Sequence, residues 1–257
     1  MSNRVYMAGL IVRDITFDVL SRYLDAAVAR RRKVAIFFAN ANFVVRCQEL
    51  KPALRGRPNV HIVPDGLGID LASKALRGRP FRENLNGTDF VPRFLATQRR
   101  PLSIYLLGGT GEVVERTAET FAALPQIRVA GRRDGYSFHE REEGTIAEIN
   151  AARPDVLLVA LGNPLQEQWI LDRMDRIDAS VFLGVGALFD FVSGHKARAP
   201  ILVRRLRLEW IYRLALEPRR LLARYTVGIL HFALVVARDR RPSGTAGEPR
   251  TAPRPKG

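Results

Sequence analysis

Short apolar runs rich in Val, Ile, Leu and Phe recur at residues 34–38, 60–63, 103–107, 156–161 and 181–185, several of them closing on glycine. Runs of this kind read as strands buried on both faces of a parallel sheet. Between them, residues 17–30 and 113–124 repeat apolar positions at helical spacing. Strands alternating with helices predict an α/β fold, a doubly wound and mainly parallel sheet. No repeat of solenoid length interrupts the pattern, so one domain is expected over residues 1–198. In such sheets ligands bind beyond the carboxyl ends of the strands.

The texture changes after Pro200. Arg204, Arg205, Arg207, Arg213, Arg219, Arg220 and Arg224 are interleaved with Leu, Ile, Trp and Tyr at roughly helical spacing, which predicts a basic, amphipathic helical appendage over residues 199–241. Residues 242–257 are rich in Pro, Gly and Arg with little to bury, and are expected to be a disordered tail. The run 225–237 contains His231, is bounded by Arg224 and Arg238, and falls short of the roughly 20 residues that span a bilayer. Its expected place is on a membrane surface, not across one.

Charge sharpens that division. The 257 residues carry 41 Lys and Arg against 26 Asp and Glu, a formal +15, and residues 196–257 hold 15 of the basic and 4 of the acidic side chains, a net +11. Such an excess points to an anionic partner: nucleic acid, anionic lipid or phosphorylated substrate. Its confinement to an apolar-interleaved segment favours a membrane surface, with a nucleic-acid-binding protein on an α/β core as the rival. With 47% hydrophobic residues the chain can bury a substantial core. Cys47 is the only cysteine, so no internal disulfide is possible, and a small core residue in a reducing compartment is expected. The first residues lack a basic stretch followed by an apolar one, so no secretion signal is expected and the active site should face the cytoplasm.

Several turns carry residues suited to chemistry. Gly108, Gly109 and Gly111 lie between a strand and a helix, where they read equally as a phosphate seat or as a tight turn. Val114 replaces the third glycine of a dinucleotide fingerprint, which argues against a nucleotide-binding oxidoreductase. The segment Leu161-Gly162-Asn163-Pro164-Leu165-Gln166-Glu167 places a Pro-started helix and several amides at the same edge, with Glu167 suited either to a ligand or to the helix dipole. Asp190 follows Gly184 and Gly186 amid apolar neighbours, as a ligand contact or a buried loop anchor. Asp65, with Gly66, ends the strand run 60–63, where a carboxylate can take a proton from an attacking hydroxyl or serve as a turn residue; Asp89 has the same two readings. The four histidines are scattered without metal-ligand spacing, and there is no Asp-x-Asp and no Gly-x-Ser-x-Gly, so neither a metal nor a cofactor is expected.

Taken in order, the blocks Asn40-Ala41-Asn42, Asp65-Gly66-Leu67-Gly68, Gly87-Thr88-Asp89-Phe90, Leu107-Gly108-Gly109, 161–167, 184–191 and the basic segment from Glu209-Trp210 to Tyr225 resemble the WecG/TagA/CpsF family of glycosyltransferases over residues 5–240. The resemblance implies a single Rossmann-like domain with a membrane-targeting C-terminal appendage. It implies inverting transfer from a nucleotide-sugar, commonly UDP-linked, to a saccharide on a polyprenyl diphosphate in surface-polysaccharide or cell-wall polymer synthesis, at the inner face of the cytoplasmic membrane. Position by position, Asp65 matches the family's catalytic base. Asn40, Asn42, Gly66, Asp89, Gly108, Gly109, Gly111, Asn163, Gln166, Glu167, Gly186 and Asp190 match blocks that hold donor and acceptor, and Arg213, Arg220 and Arg224 match appendage arginines that clamp diphosphates. Ala39 stands where many members carry a hydroxyl residue. A homo-oligomer is compatible with this picture.

Overall fold

The structure, a computed structural model, describes residues 4–200, 203, 211, 212, 214 and 218–238. Eight strands form one sheet: β1 (Arg4–Met7), β2 (Leu10–Arg13), β3 (Val34–Ala39), β4 (Val60–Pro64), β5 (Leu102–Gly108), β6 (Ile127–Arg133), β7 (Val156–Ala160) and β8 (Val181–Gly184). Their order is β1-β2-β4-β3-β8-β7-β5-β6, parallel throughout except for the β1–β2 hairpin. All five strands expected from the apolar runs are present, with bounds shifted by a residue or so at some ends. The α/β class and the mainly parallel sheet are as the sequence pattern predicts.

The helices cover both faces. α1 (Phe17–Ala29), α5 (Gly87–Ala96), α6 (Gly111–Ala122) and α9 (Leu188–Val192) pack on one, burying Leu20, Phe94, Phe121 and Phe189. α2 (Ala41–Arg46), α3 (Lys51–Gly56), α4 (Leu67–Arg77), α7 (Glu142–Ala152), α8 (Leu165–Arg173) and α10 (Pro218–Arg238) pack on the other, burying Phe43, Leu54, Ile69, Ile149 and Ile170. The pleat divides each strand between the two cores. In β3, Val34, Ile36 and Phe38 join the first cluster while Ala35, Phe37 and Ala39 join the second. A strand sandwiched in this way cannot alternate polar with apolar residues, which is why the central strands read as continuous apolar runs.

The last helix is not detached from this body. α10 packs along α2, with Phe232 and Val236 buried in the same cluster as β3 and α4. Burial divides the apolar residues of the run 225–237. Two of its apolar residues belong to the protein core, while Ile229, Leu230 and Leu234 stay 44%, 63% and 52% exposed. An amphipathic helix facing a core on one stripe and the outside on another produces this division. No helix among the described residues is long and apolar enough to cross a membrane. The tail 242–257 lies outside the described residues.

Candidate active site

Because the seven strands β2 to β8 run parallel, the turns after β3, β4, β5, β6, β7 and β8 meet at one edge of the sheet. That edge collects most of the residues singled out from sequence. Asn40 ends β3 and caps α2, its side-chain oxygen accepting the Phe43 N–H at 3.0 Å. The opposite atom of that amide donates to Asp65 Oδ2 at 3.4 Å. Asp65 follows β4 directly, held by its own N–H to the Ala39 carbonyl at 2.9 Å, and is half-buried. The carboxylate thus sits at the strand's carboxyl end, where a ligand in the cleft can reach it.

The next turn is clamped by a residue the sequence pattern does not single out. Asn84 accepts the Gly66 N–H at 2.8 Å, donates to the Gly66 carbonyl at 3.0 Å and donates to Asp70 Oδ2 at 3.1 Å. Gly66 has φ 90°, a conformation that favours glycine, so backbone and clamp together fix the direction in which Asp65 leaves β4. Nothing short of the folded loop marks Asn84, which lies in an Asn-rich stretch typical of any turn.

A second network joins β3, β7 and β8. Asn42 Nδ2 donates to Asn163 Oδ1 at 3.1 Å, Asn163 Nδ2 donates to Glu167 Oε1 at 2.7 Å, and Gln166 Nε2 donates to the same oxygen at 2.7 Å. Gln166 Oε1 in turn accepts the Gly186 N–H at 2.9 Å, and the Cys47 thiol donates to Glu167 Oε2 at 3.6 Å. Glu167 is 0% exposed. Its carboxylate is enclosed by the amides of Asn163 and Gln166 and the Cys47 thiol. Burial pushes its carboxyl up to about 7, against the amide and thiol donors that favour the charged form. Burial likewise raises the Cys47 thiol, helped by the adjacent Glu167 carboxylate, so Cys47 is an inert core residue as expected. The Asn163–Pro164 peptide bond is cis.

The remaining expected residues are distributed unevenly. Gly108 ends β5 with φ 128°, and a Cβ there would lie 2.4 Å from the Ala160 carbonyl oxygen, so strand packing alone requires glycine at this position. Gly109 follows in the same turn, and Gly111 opens α6 in open space. Asp190 is paired with Lys196, whose backbone N–H also returns to the Asp190 carbonyl at 2.8 Å. Asp89 is exposed and paired with Arg198 at 2.7 Å, and Arg198 also donates to Thr88 Oγ1 at 3.0 Å. The sequence does not single out Arg198: a lone arginine before Ala199 and Pro200 carries no signal until the loop folds. Arg213 lies outside the described residues, as do the side chains of Arg220 and Arg224 on α10. Among the described residues no group of three or more His, Cys, Asp or Glu is placed to hold a metal ion.

The α10 packing brings the C-terminal helix to the rim of this edge. A Cβ added at Gly68 would lie 3.7 Å from the Ala41 Cβ and 3.8 Å from the Phe232 ring, so Phe232 lies beside the turns that carry Asn40 and Asp65.

The model described as "Glycosyl transferase WecG/TagA/CpsF family" matches residues 5–245. An N-acetylglucosaminyldiphosphoundecaprenol N-acetyl-beta-D-mannosaminyltransferase of Bacillus spizizenii is 35% identical over 161 residues, covering 62% of this chain and 62% of that protein. Proteins of the same name from Bacillus subtilis and Staphylococcus aureus are each 32% identical, over 70% and 63% of this chain and 69% and 63% of their own lengths. The chain thus spans less than two thirds of the length of two of these three relatives.

Proposed function

The chain belongs to the WecG/TagA/CpsF glycosyl transferase family, and from that premise we propose that it transfers a sugar from a nucleotide-sugar, UDP-linked in the simplest case, to a saccharide carried on a polyprenyl diphosphate. The observation that carries the proposal is Asp65. It is a half-buried carboxylate at the carboxyl end of β4, oriented by Asn40 and by a turn that Asn84 clamps. In this reading the Asp65 carboxylate accepts the proton of the acceptor hydroxyl as that oxygen attacks the anomeric carbon. The bond to the nucleoside diphosphate breaks on the opposite face, and configuration inverts. Asn40 donates to one Asp65 carboxylate oxygen and thereby orients the carboxylate. Asn163 and Gln166 present amides fixed by Glu167, and Arg213, Arg220 and Arg224 are assigned to the diphosphates, where guanidinium groups fork onto phosphate oxygens.

The names of the relatives support a diphosphoundecaprenol-linked acceptor. The proposed site of action is the cytoplasmic face of the membrane, reached through the basic segment 199–241 and the exposed Leu230 and Leu234 of α10. The test is a transfer assay with the purified chain, synthetic polyprenyl-diphosphate saccharides and a panel of UDP- and GDP-sugars. Lipid-linked product and stoichiometric nucleoside diphosphate from one donor are expected. A folded protein that yields neither from any donor contradicts the proposal.

A further inference from the structure

The β1–β2 hairpin leaves one of its faces open. Val5, Met7, Leu10 and Val12 belong to the core on the α4 side, so their alternates Arg4, Tyr6, Ile11 and Arg13 share the opposite face. Tyr6 is 65% exposed there. Arg4 and Arg13 stand directly across the antiparallel pair from one another, a placement of like charges that costs stability unless something offsets it. No carboxylate does so among the described residues: the neighbouring Asp14 is taken by Arg77 at 2.7 Å and Arg79 at 3.6 Å. The Arg13 guanidinium is depressed by burial and then by Arg4, with only the Tyr23 phenol acting the other way.

Hydrogen bonds beside this pair fix which groups still have protons to give. Arg13 Nη2 donates to His61 Nδ1 at 3.2 Å, so the neutral ring carries its proton on Nε2 and donates it to the Tyr23 hydroxyl oxygen at 2.8 Å. The two rings also meet edge to face, 5.2 Å apart. His61 is pushed down to about 4 by burial first and then by Arg13 and Arg4, which keeps it neutral near pH 7. Its acceptor nitrogen is used by Arg13, and the Tyr23 O–H has no acceptor among the described residues. The groups left to meet a ligand are therefore donors: two guanidinium groups, with Arg13 half-buried, and the half-buried phenol of Tyr23. His61 lies four residues before Asp65 on β4, about 13 Å along an extended strand, which sets the cluster apart from the cleft.

We infer that the open face of the β1–β2 hairpin is a phosphate-binding site held by Arg4, Arg13 and the Tyr23 hydroxyl, with His61 as the residue that positions Arg13 and Tyr23. A phosphate group matches the cluster in charge and in number. Guanidinium groups fork onto its oxygens, and two of them beside a phenol need at least three acceptor oxygens, one more than a carboxylate offers. Bound there, its negative charge offsets the repulsion between Arg4 and Arg13. Two sources carry this chemistry, a free phosphate compound and the headgroup of an anionic phospholipid.

The experiment is a titration of the full chain with inorganic phosphate at neutral pH and constant ionic strength, followed through the imidazole resonances of His61, assigned with His61→Asn. Acetate is the control anion. In wild type the resonances are expected to shift saturably with phosphate and not with acetate. Arg4→Gln, an exposed position whose loss leaves the Arg13–His61–Tyr23 bonds in place, is expected to weaken the response about five-fold or more, and Tyr23→Phe about three-fold. Arg128→Gln, on the far edge strand β6, leaves it unchanged. If the source is a headgroup, free phosphate gives no shift, and Arg4→Gln instead lowers flotation with phosphatidylglycerol vesicles about three-fold or more while Arg128→Gln does not. A His61 response that Arg4→Gln leaves intact, an equal response to acetate, or the absence of both the phosphate and the vesicle effect overturns the inference.

Discussion

Glu167 shows how much a single buried carboxyl can reveal about a site it does not touch. Its folded pKa of about 7 lies above the ordinary glutamate value, so between those values the folded state holds a proton that the unfolded chain has released. Its contribution to stability is therefore most favourable at acidic pH, declines as pH rises through that window, and levels off above about 7. His61, pushed down to about 4 by burial and then by Arg13, contributes the opposite slope as it ionises in the unfolded chain. The informative quantity is accordingly a difference. Wild type is predicted to lose on the order of 2–3 kcal/mol between pH 5 and pH 7.5 relative to Glu167→Gln, read from denaturant melts at both pH values. Parallel pH profiles for the two proteins would show that Glu167 titrates normally. In Glu167→Gln the side-chain oxygen can still accept from Asn163 and Gln166, while the amide nitrogen takes the position that now accepts from the Cys47 thiol. The amide network is thereby preserved, and donor KM and kcat are predicted to stay close to wild type.

At the level of elements, the glycines after β5 separate a packing role from a ligand role. Gly108→Ala forces a Cβ against the Ala160 carbonyl at a φ of 128°, a cost of about 2–4 kcal/mol and a Tm drop of roughly 5–10 °C. Gly111→Ala adds its Cβ in open space and is predicted to leave Tm nearly unchanged; equal destabilisation by both would show that the β5–β7 approach is not what fixes Gly108. These turns were legible in sequence because glycine closes apolar strands at their carboxyl ends. The β1–β2 hairpin and β6 were not. Arg4–Met7 and Leu10–Arg13 are four residues each, too short for a period to register, and β6 carries Arg128, Arg132 and Arg133 because it is an edge strand with one side open to water. The site was legible as a set of loops but not as a set of contacts. Asn40 and Asp65 meet as expected of one edge, whereas the burial of Glu167, the Asn84 clamp and the Arg198–Asp89 pair depend on which side chains the tertiary fold brings together. The apolar period of α10 likewise reveals that the helix is amphipathic without revealing which stripe meets α2.

For the whole molecule, the charge and the two stripes of α10 define how it would meet a bilayer. Flotation with anionic liposomes is predicted at low salt and to fall as salt is raised, since a net +11 over residues 196–257 acts through a screened surface potential. Leu230→Glu with Leu234→Glu should abolish flotation at little cost in stability, because both side chains are exposed. Phe232→Ala should cost about 3 kcal/mol by emptying a core site. Tight, polyanion-resistant binding to duplex DNA at physiological salt, with no affinity for vesicles, would instead favour a nucleic-acid partner for the basic segment. The central claim is that the edge carrying Asp65 performs glycosyl transfer with that carboxylate as base, and it is tested most directly by the initial rate of lipid-linked product formation with the productive donor, wild type beside Asp65→Asn. The account predicts a loss of about 10²–10⁴-fold in kcat with an unchanged Tm and donor affinity, whereas an Asp65→Asn enzyme that transfers within a few-fold of wild type would contradict it.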